Sequence, residues 1–236
     1  MTFSMKRVNA IFQKDFKDIS RNSAVSITVL MPLIIAFVMG KMNDTIAIEA
    51  HYMVINITMV VVGSFIQCSL IAEEKEKNTL RGLMLSPAST LEIIGGKSLL
   101  SLITTMIIVV IGAFMTGYRP EHIVVIAISI LFTTFFYIGL GTLLGLLAKS
   151  VMEASVIIMP FMIVFGFGSM ITIFADKYPI LKVINYTPNV QLTEIAVKIE
   201  SGVGLGEVWL NFGIIALWII AVYALTDVVF KKRKMD

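Results

Sequence analysis

The chain has 236 residues, of which 57% are hydrophobic and only 15% are charged, and its mean hydropathy is +0.90. These values exclude an ordinary water-soluble globular domain and indicate an integral membrane protein. The net charge of +3 gives no reason to expect nucleic acid as a partner, and the single cysteine, Cys68, excludes an intrachain disulfide.

Residues 1–23 predict an N-terminal amphipathic helix that lies in the membrane interface. Apolar side chains recur there at helical spacing while basic residues take the other faces; the apolar set is Val8, Ile11, Phe12, Phe16 and Ile19. The alternative is a short cytoplasmic helix that packs on the protein's own loops. In both cases the segment is peripheral to the spans.

Residues 24–236 predict a transmembrane domain with six helical spans. A helix needs about 20 mostly apolar residues to cross a bilayer, because lipid offers the backbone no hydrogen-bond partner. Six segments meet this condition: 24–40, 52–72, 98–117, 123–148, 154–174 and 208–230. The fold class is therefore an all-α polytopic membrane protein.

Small residues and prolines within the spans predict where helices bend or approach closely. Pro160 and the pair Gly166 and Gly168 predict a kinked or broken fifth span. Gly141 and Gly145 have the small-xxx-small spacing that lets two helices pack closely.

The basic residues predict the orientation in the membrane. With both termini in the cytoplasm, 14 of the 19 Lys and Arg residues lie on the cytoplasmic side. The five on the outer side are Lys41, Arg119, Lys177, Lys182 and Lys198. Because short cytoplasmic loops are rich in Lys and Arg, this bias places both termini and the loop after the second span inside the cell.

That loop, residues 73–97, predicts two short helices with a sharp bend. Glu73 to Leu85 favours a helix that is polar at its start and apolar near its end, and Ser86-Pro87 should stop it. Ser89 and Glu92 match a capping box that starts a second helix, and Gly95-Gly96 should loosen the joint before the third span. An apolar stripe on such a loop packs either on the protein's own spans or on a cytoplasmic partner.

The chain offers no catalytic, cofactor or metal site. Gly96-Lys97-Ser98 matches the end of a phosphate-binding loop, but Leu91 stands where that pattern needs its first glycine, and the next residues enter the membrane. His51 and His122 lie at outer span ends without an H-E-x-x-H motif, so a zinc protease site is not supported. Any ATP hydrolysis must therefore come from another polypeptide.

The outer loop, residues 175–207, predicts a short helix that starts at Thr187-Pro188 and ends at Gly202. Its apolar face consists of Leu192, Ile195, Ala196 and Ile199. The helix either lies on or dips into the membrane, or it packs over the bundle.

The stretch from Glu74 to Lys97, EKEKNTLRGLMLSPASTLEIIGGK, resembles the loop after the second span in type 2 permeases of ATP-binding-cassette (ABC) exporters. It has E-x-E, then T-L, a proline after the apolar turn, then E-I and G-K. The predicted architecture resembles the same family along the whole chain. It is similar to the compact members, which lack a large extracellular domain between the first two spans.

The resemblance implies a membrane subunit that works with a separate ATP-binding ATPase subunit, present in two copies, and with a second permease copy in a homodimer or heterodimer. It implies that the ATPase docks on this coupling loop through Glu74, Glu76, Thr79, Leu80, Leu83 and Pro87. The expected activity is export of an amphipathic or hydrophobic compound, such as a drug, a peptide or a lipid-linked species. The expected location is a bacterial plasma membrane, and no motif fixes the substrate-binding residues.

Two other functions stay open on the sequence alone. An ion-coupled secondary carrier would need no ATPase, although such carriers usually keep charged residues deep in the membrane and here the middles of the spans hold only neutral polar groups. A non-transport membrane protein, such as a sensor or an immunity protein, would act without ATP hydrolysis.

Overall fold

A computed structural model describes residues 4–42, 47–79, 89–174, 177–202 and 204–235. The described residues form helices, turns and short connections, and none of them lies in a β-strand. The expectation of an all-α polytopic membrane protein is thereby confirmed.

Nine α-helices occur in the described residues. They are α1 (Met5–Arg21), α2 (Ser23–Met42), α3 (Ile48–Thr58), α4 (Phe65–Glu76), α5 (Thr90–Thr116), α6 (Ile123–Leu147), α7 (Val151–Ile171), α8 (Pro188–Glu200) and α9 (Trp209–Met235). A π-helical segment, Met59–Ser64, joins α3 to α4, and short 3₁₀ segments flank α8.

Five of the six predicted spans are helices long and apolar enough to cross a membrane: Ile48–Glu76, Glu92–Thr116, Ile123–Leu147, Val151–Phe174 and Trp209–Lys231. The first predicted span is also helical, as α2. It meets the same criterion only together with α1, from which it is bent by 79°.

The second span, α3 with the π segment and α4, lies at the centre of the bundle. Its apolar window is entirely buried, whereas only 17% of the corresponding window of α9 is buried. Helices α2, α5, α6, α7 and α8 all contact it. Gly141 and Gly145 of α6 allow the closest approach, since a Cβ on Gly141 would collide with the carbonyl oxygen of Ser64 and one on Gly145 would lie 2.7 Å from that of Cys68.

The fifth span is interrupted where its glycines predict a break. Phe167, between Gly166 and Gly168, has non-helical backbone angles inside α7. The side chain of Asn189 comes so close to Gly168 that a Cβ there would collide with it. Asn189 Nδ2 donates to the carbonyl oxygen of Val164, at 3.2 Å. Polar contacts of this kind satisfy backbone groups near a helix break.

Helix α8 packs into the bundle rather than lying over its surface. All four residues of its predicted apolar face are at most 1% exposed, and the helix contacts α3, α6, α7 and α9. It begins after Thr187 as predicted, although the Thr187 hydroxyl donates to the carbonyl of Ile184 and does not cap the helix amides. Gly202, with a φ of +77°, follows its end.

Candidate functional site

Three helices meet in a buried cluster of charges at one end of the second span. Lys97 of α5 donates to Asp15 of α1 at 2.9 Å and lies 3.0 Å from Glu74 Oε1 of α4. Lys14 of α1 donates to the same Glu74 oxygen at 2.7 Å. We call these four residues the junction, since they tie the N-terminal helix to the end of the second span and the start of the third.

The junction is electrically balanced but not fully satisfied. The side chains of Lys97, Asp15 and Glu74 are 2%, 1% and 5% exposed, and Lys14 is half-exposed at the edge. Two ammonium groups thus balance two carboxylates in a place that water hardly reaches. Glu74 Oε2, however, is buried without a hydrogen-bond partner among the described residues. A buried acceptor without a hydrogen-bond donor destabilises the folded state.

The surroundings shift the pKa values of two side chains of α1, Asp15 and Lys14. Burial raises the pKa of the Asp15 carboxyl above its ordinary value, although the charge of Lys97 and its hydrogen bond work in the opposite direction. Burial lowers the pKa of Lys14, but its hydrogen bond and charge interaction with Glu74 outweigh this and make the net shift upward. Burial and the ion pairs act on these two groups in opposite directions; burial prevails at Asp15 and the ion pairs prevail at Lys14.

A second contact, near the start of α1, fastens it to α5. Ser89 and Glu92 form the predicted capping box, with the Ser89 side chain accepting from the Glu92 amide and Glu92 accepting from the Ser89 amide. Glu92 Oε1 also accepts from the Ser4 amide at 2.5 Å and from Arg7 Nη2 at 2.9 Å. One carboxylate therefore caps α5 and holds the beginning of α1.

The prediction that Gly95-Gly96 loosens the chain before the third span is wrong. Helix α5 runs without interruption from Thr90 to Thr116, through both glycines. Gly96 instead makes room for α1, since a Cβ there would lie 2.9 Å from the Ile11 Cβ and 3.0 Å from the Val8 carbonyl oxygen. The absence of a side chain permits the close approach that brings Asp15 to Lys97.

The helix predicted from Glu73 to Leu85 is interrupted after Glu76; its part beyond Thr79, with the stop predicted at Ser86-Pro87, lies outside the described residues. Helix α4 stops at Glu76, and Asn78 takes a left-handed conformation with a φ of +55°. Asn adopts this conformation more readily than most residues. The amide of Lys77 bonds to the Glu73 carbonyl, which completes the last turn.

The six residues expected to dock an ATPase fall into three groups. Glu74 is 4% exposed and faces the junction, whereas Glu76 and Thr79 are exposed. Leu80, Leu83 and Pro87 lie outside the described residues. Of the described residues in this set, Glu76 and Thr79 are therefore the exposed ones.

The end of α4 is also held against the connection between α6 and α7. Lys75 Nζ donates to the carbonyl oxygens of Leu146, at 2.7 Å, and of Ala148. Glu76 Oε2 accepts from the Val151 amide at 2.9 Å. A cation on the last carbonyls of α6 and an anion on the first amides of α7 both suit the helix dipoles.

Polar side chains also connect the second span to its neighbours deeper in the bundle. Gln67 Oε1 accepts from Ser101 at 2.8 Å, and Gln67 Nε2 donates to Thr142 at 3.0 Å. Ser64 donates to the Tyr137 carbonyl at 2.8 Å. These contacts link α5 and α6 through the second span with neutral groups, as expected for helix packing in a membrane.

Sequence reasoning missed Asp15, Lys14 and Arg7 as site residues. The signal for Asp15 was its register: it lies four residues after Ile11 and seven after Val8, on the apolar face of α1. A charge on an apolar face indicates a buried ionic partner. Its partner could not be read from the sequence, because Lys97 is 82 residues away in the chain.

The geometry leaves Lys97 engaged with protein carboxylates, so the chemistry of a phosphate-binding lysine is not available to it. In the part of the chain that the structure describes, His, Cys, Asp and Glu side chains do not form a group of three that could hold a metal ion. The junction joins α1, α4 and α5 into one unit at the start of the segment 73–97.

Comparison with known proteins gives the family of this chain. A search of curated proteins gives no match. The model of the family described as "ABC-2 family transporter protein" matches residues 39–226, from the end of α2 to the last turns of α9, and so covers well over half of the sequence. The chain belongs to the ABC-2 family of transporter proteins and is a membrane subunit of an ABC transporter.

Proposed function

We propose that the chain is the permease subunit of an ATP-driven exporter that moves an amphipathic or hydrophobic compound, such as a drug, a peptide or a lipid-linked species, out of the cell. A separate ATPase subunit, in two copies, hydrolyses ATP, and a second permease copy completes the pathway. Membership of the ABC-2 family supports the ATPase partnership.

The contacts of the junction are the main support for this proposal. Movement applied to the coupling loop acts on a segment whose first helix, α4, is fastened to α1 and α5 through Glu74 and to the α6–α7 connection through Lys75. The same helix continues into the fully buried second span. Force at the loop therefore reaches the centre of the bundle rather than a peripheral helix.

Within the proposed docking segment the residues have different roles. The exposed Glu76 and Thr79 meet the ATPase, together with Leu80, Leu83 and Pro87. Glu74 belongs to the segment as the residue that holds it to α1 and α5, because its carboxylate is buried in the junction.

The surface of α1 supports a position at the inner face of the membrane. One side of the helix, with Val8, Ile11 and Asp15, is buried against the bundle. Phe16 is 57% exposed and stacks on Phe12, which leaves an apolar side uncovered by the described chain. Aromatic side chains beside basic residues suit the lipid headgroup region. This placement agrees with both termini in the cytoplasm of a bacterial cell.

The proposal is tested by co-expressing the chain with the ATPase encoded by the neighbouring gene and purifying through a tag on the ATPase. The native chain should co-purify, and Glu76→Lys or Thr79→Lys should reduce recovery by about tenfold, since the first reverses a charge on the docking surface and the second introduces one. Glu76→Lys also removes the contact with the Val151 amide, which Thr79→Lys leaves in place. Glu121→Lys is the matched control, because Glu121 is an exposed glutamate at the opposite end of the spans. The assignment fails if the native pair never co-purifies and replacing residues 80–85 by Gly and Ser changes nothing.

The same co-expression separates the other two functions. An exporter loses its cellular effect when the ATPase carries a catalytically dead active site. A sensor or immunity protein keeps its effect with that dead partner. A secondary carrier transports in vesicles that contain an ion gradient and no ATPase.

A further inference from the structure

A second polar site lies at the far end of the second span from the junction. Helices α3 and α4 with their π segment contain 29 residues, which corresponds to about 43 Å of helix. An open cleft of about 370 Å³ lies at the Glu49 end of the second span. It is lined by residues of α3, α7, α8 and the 3₁₀ segment before α8. This volume is within the range of pockets that bind small molecules.

The cleft carries an excess of negative charge. The carboxylates of Glu49 and Glu194 and the ammonium group of Lys198 line it. Lys198 forms no ion pair with either glutamate in the described chain; its Nζ donates to Asn211 Oδ1 at 2.9 Å and to the Glu207 carbonyl at 3.3 Å. Glu194 Oε2 accepts only a neutral donor, Asn211 Nδ2, at 2.8 Å. A cation in the cleft would balance the second carboxylate.

The remaining lining favours an organic cation over a bare ion. Ser169, Thr172 and Thr193 line the same cleft as two valines. The Thr172 hydroxyl donates to the Ser169 carbonyl and the Thr193 hydroxyl to the Asn189 carbonyl, so these two oxygens can serve a ligand as acceptors. Thr193 also accepts a hydrogen bond from the buried Asn56, which does not itself line the cleft. Hydroxyls, carboxylates and apolar walls together suit a molecule with all three kinds of surface.

We propose that this cleft binds a small organic molecule that carries a protonated amine beside hydroxyl groups. The carboxylates of Glu49 and Glu194 hold the ammonium group, and the Ser169 and Thr172 hydroxyls bond to the hydroxyls of the ligand. The site goes beyond the proposed export function, because binding to the chain alone requires no ATPase. It also touches α3, so a bound ligand contacts the outer half of the second span.

Equilibrium dialysis of the purified full chain in detergent tests the site, with radiolabelled glucosamine as the probe at pH 6.5. Glucose is the matched ligand, since it differs by a hydroxyl in place of the amine at one carbon. Glucosamine should bind once per chain, and glucose at least about tenfold more weakly, because it lacks the charge that the carboxylates need. Equal binding of the two sugars overturns the proposal.

Substitutions locate the binding. Glu49→Gln and Glu194→Gln should each weaken glucosamine binding by about tenfold at unchanged thermal stability, since both keep the shape of the side chain and remove its charge. Glu121→Gln is the control, because Glu121 is exposed near the same end and does not line the cleft. Unchanged affinity in the Glu49→Gln, Glu194→Gln double variant overturns the proposal, as does complete displacement of glucosamine by Mg²⁺ or Ca²⁺ at constant ionic strength.

The source of the ligand is decided separately, in proteoliposomes that contain the chain and its ATPase. ATP-dependent movement of glucosamine across the membrane identifies the amine as exported cargo. A change in ATP hydrolysis without movement, seen when glucosamine is present only on the Glu49 side, identifies it as an external effector. Failure of the dialysis experiment leaves the ATPase partnership standing, because that partnership is measured by co-purification.

Discussion

Lys97 holds an ammonium group at 2% exposure, between the carboxylates of Asp15 and Glu74. Burying such charges costs several kcal/mol per ion, and their attraction repays this only when the geometry is good. The cluster therefore contributes less to stability than to fixing the position of α1 on α5. Asp15 can reach Lys97 only when α1 lies in one register on α5.

Replacing Lys97 by Met tests how much the buried ion pairs of the junction stabilise the fold. We expect the free energy of unfolding to fall by about 3 kcal/mol, because Asp15 and Glu74 then stay buried with only Lys14 as a cation nearby. Asp15→Asn should cost less, since Lys97 keeps Glu74 at 3.0 Å. Unfolding of the detergent-solubilised chain in a denaturant titration measures both.

Lys17→Met is the control for that comparison, because Lys17 is exposed on the same helix. It removes one positive charge from α1 without touching the junction. If Lys97→Met and Lys17→Met unfold at the same denaturant concentration, the buried pairs do not stabilise the fold.

Among the helices, α5 shows how two adjacent glycines can differ. Gly96 lies against Ile11 and Val8 of α1, while a Cβ on Gly95 would meet nothing within 4 Å. The contact between α1 and α5 thus depends on one missing side chain. The junction and the Glu92 contacts lie on either side of it and depend on the same approach.

Gly96→Leu should therefore separate α1 from α5, whereas Gly95→Leu should not. Overpacking of this kind costs about 1–3 kcal/mol, so amides of α1 should exchange with deuterium about tenfold faster in Gly96→Leu. Hydrogen–deuterium exchange by mass spectrometry over residues 8–19 measures the effect. Equal exchange in the two variants would show that α1 does not rest on Gly96.

The spans could be predicted from the sequence because a bilayer demands length and apolar composition, and both are local properties. The capping box at Ser89 and Glu92 was equally local and is confirmed. The interruption after Glu76 was missed because Asn78, in a left-handed turn, breaks a pattern that is helical by spacing. The role of Gly96 was missed because its neighbour in space, Ile11, is far away in sequence.

The junction could not be predicted for the same reason. Its hydrogen bonds join residues that are 60 and 82 positions apart, so neither pair leaves a periodic signal in the chain. In the sequence, Lys97 belongs to an incomplete nucleotide motif and to the G-K pair of the loop that resembles the family, and neither pattern indicates an ionic partner. Its charge has a structural use that becomes visible once α1 is placed on α5.

For the whole molecule, the second span connects the two polar sites. Glu49 of the cleft begins it and Glu74 of the junction ends it, and its middle is the π segment Met59–Ser64. A π turn contains one residue more than an α turn, because its hydrogen bonds run from i to i+5. The extra residue shifts the register between α3 and α4, and it lies where Ser64 and Gly63 contact α6 and α5.

Two single-residue deletions in the second span test this view of the π segment. Removing Val61 from the π segment should convert it to a regular α-helix while α3 and α4 keep their faces, so that Glu74 still meets Lys97. Removing Leu70 from α4 should turn the following residues by about 100° and carry Glu74 away from the junction. Both deletions remove one buried apolar side chain, so the difference between them reports register rather than lost burial.

We expect the free energy of unfolding to be about 3 kcal/mol lower for the Leu70 deletion than for the Val61 deletion, because the Leu70 deletion leaves the charges of the junction unpaired. Equal loss of folded protein in the two variants, measured by size-exclusion chromatography and denaturant titration, would mean that the π segment does not set the register of the second span.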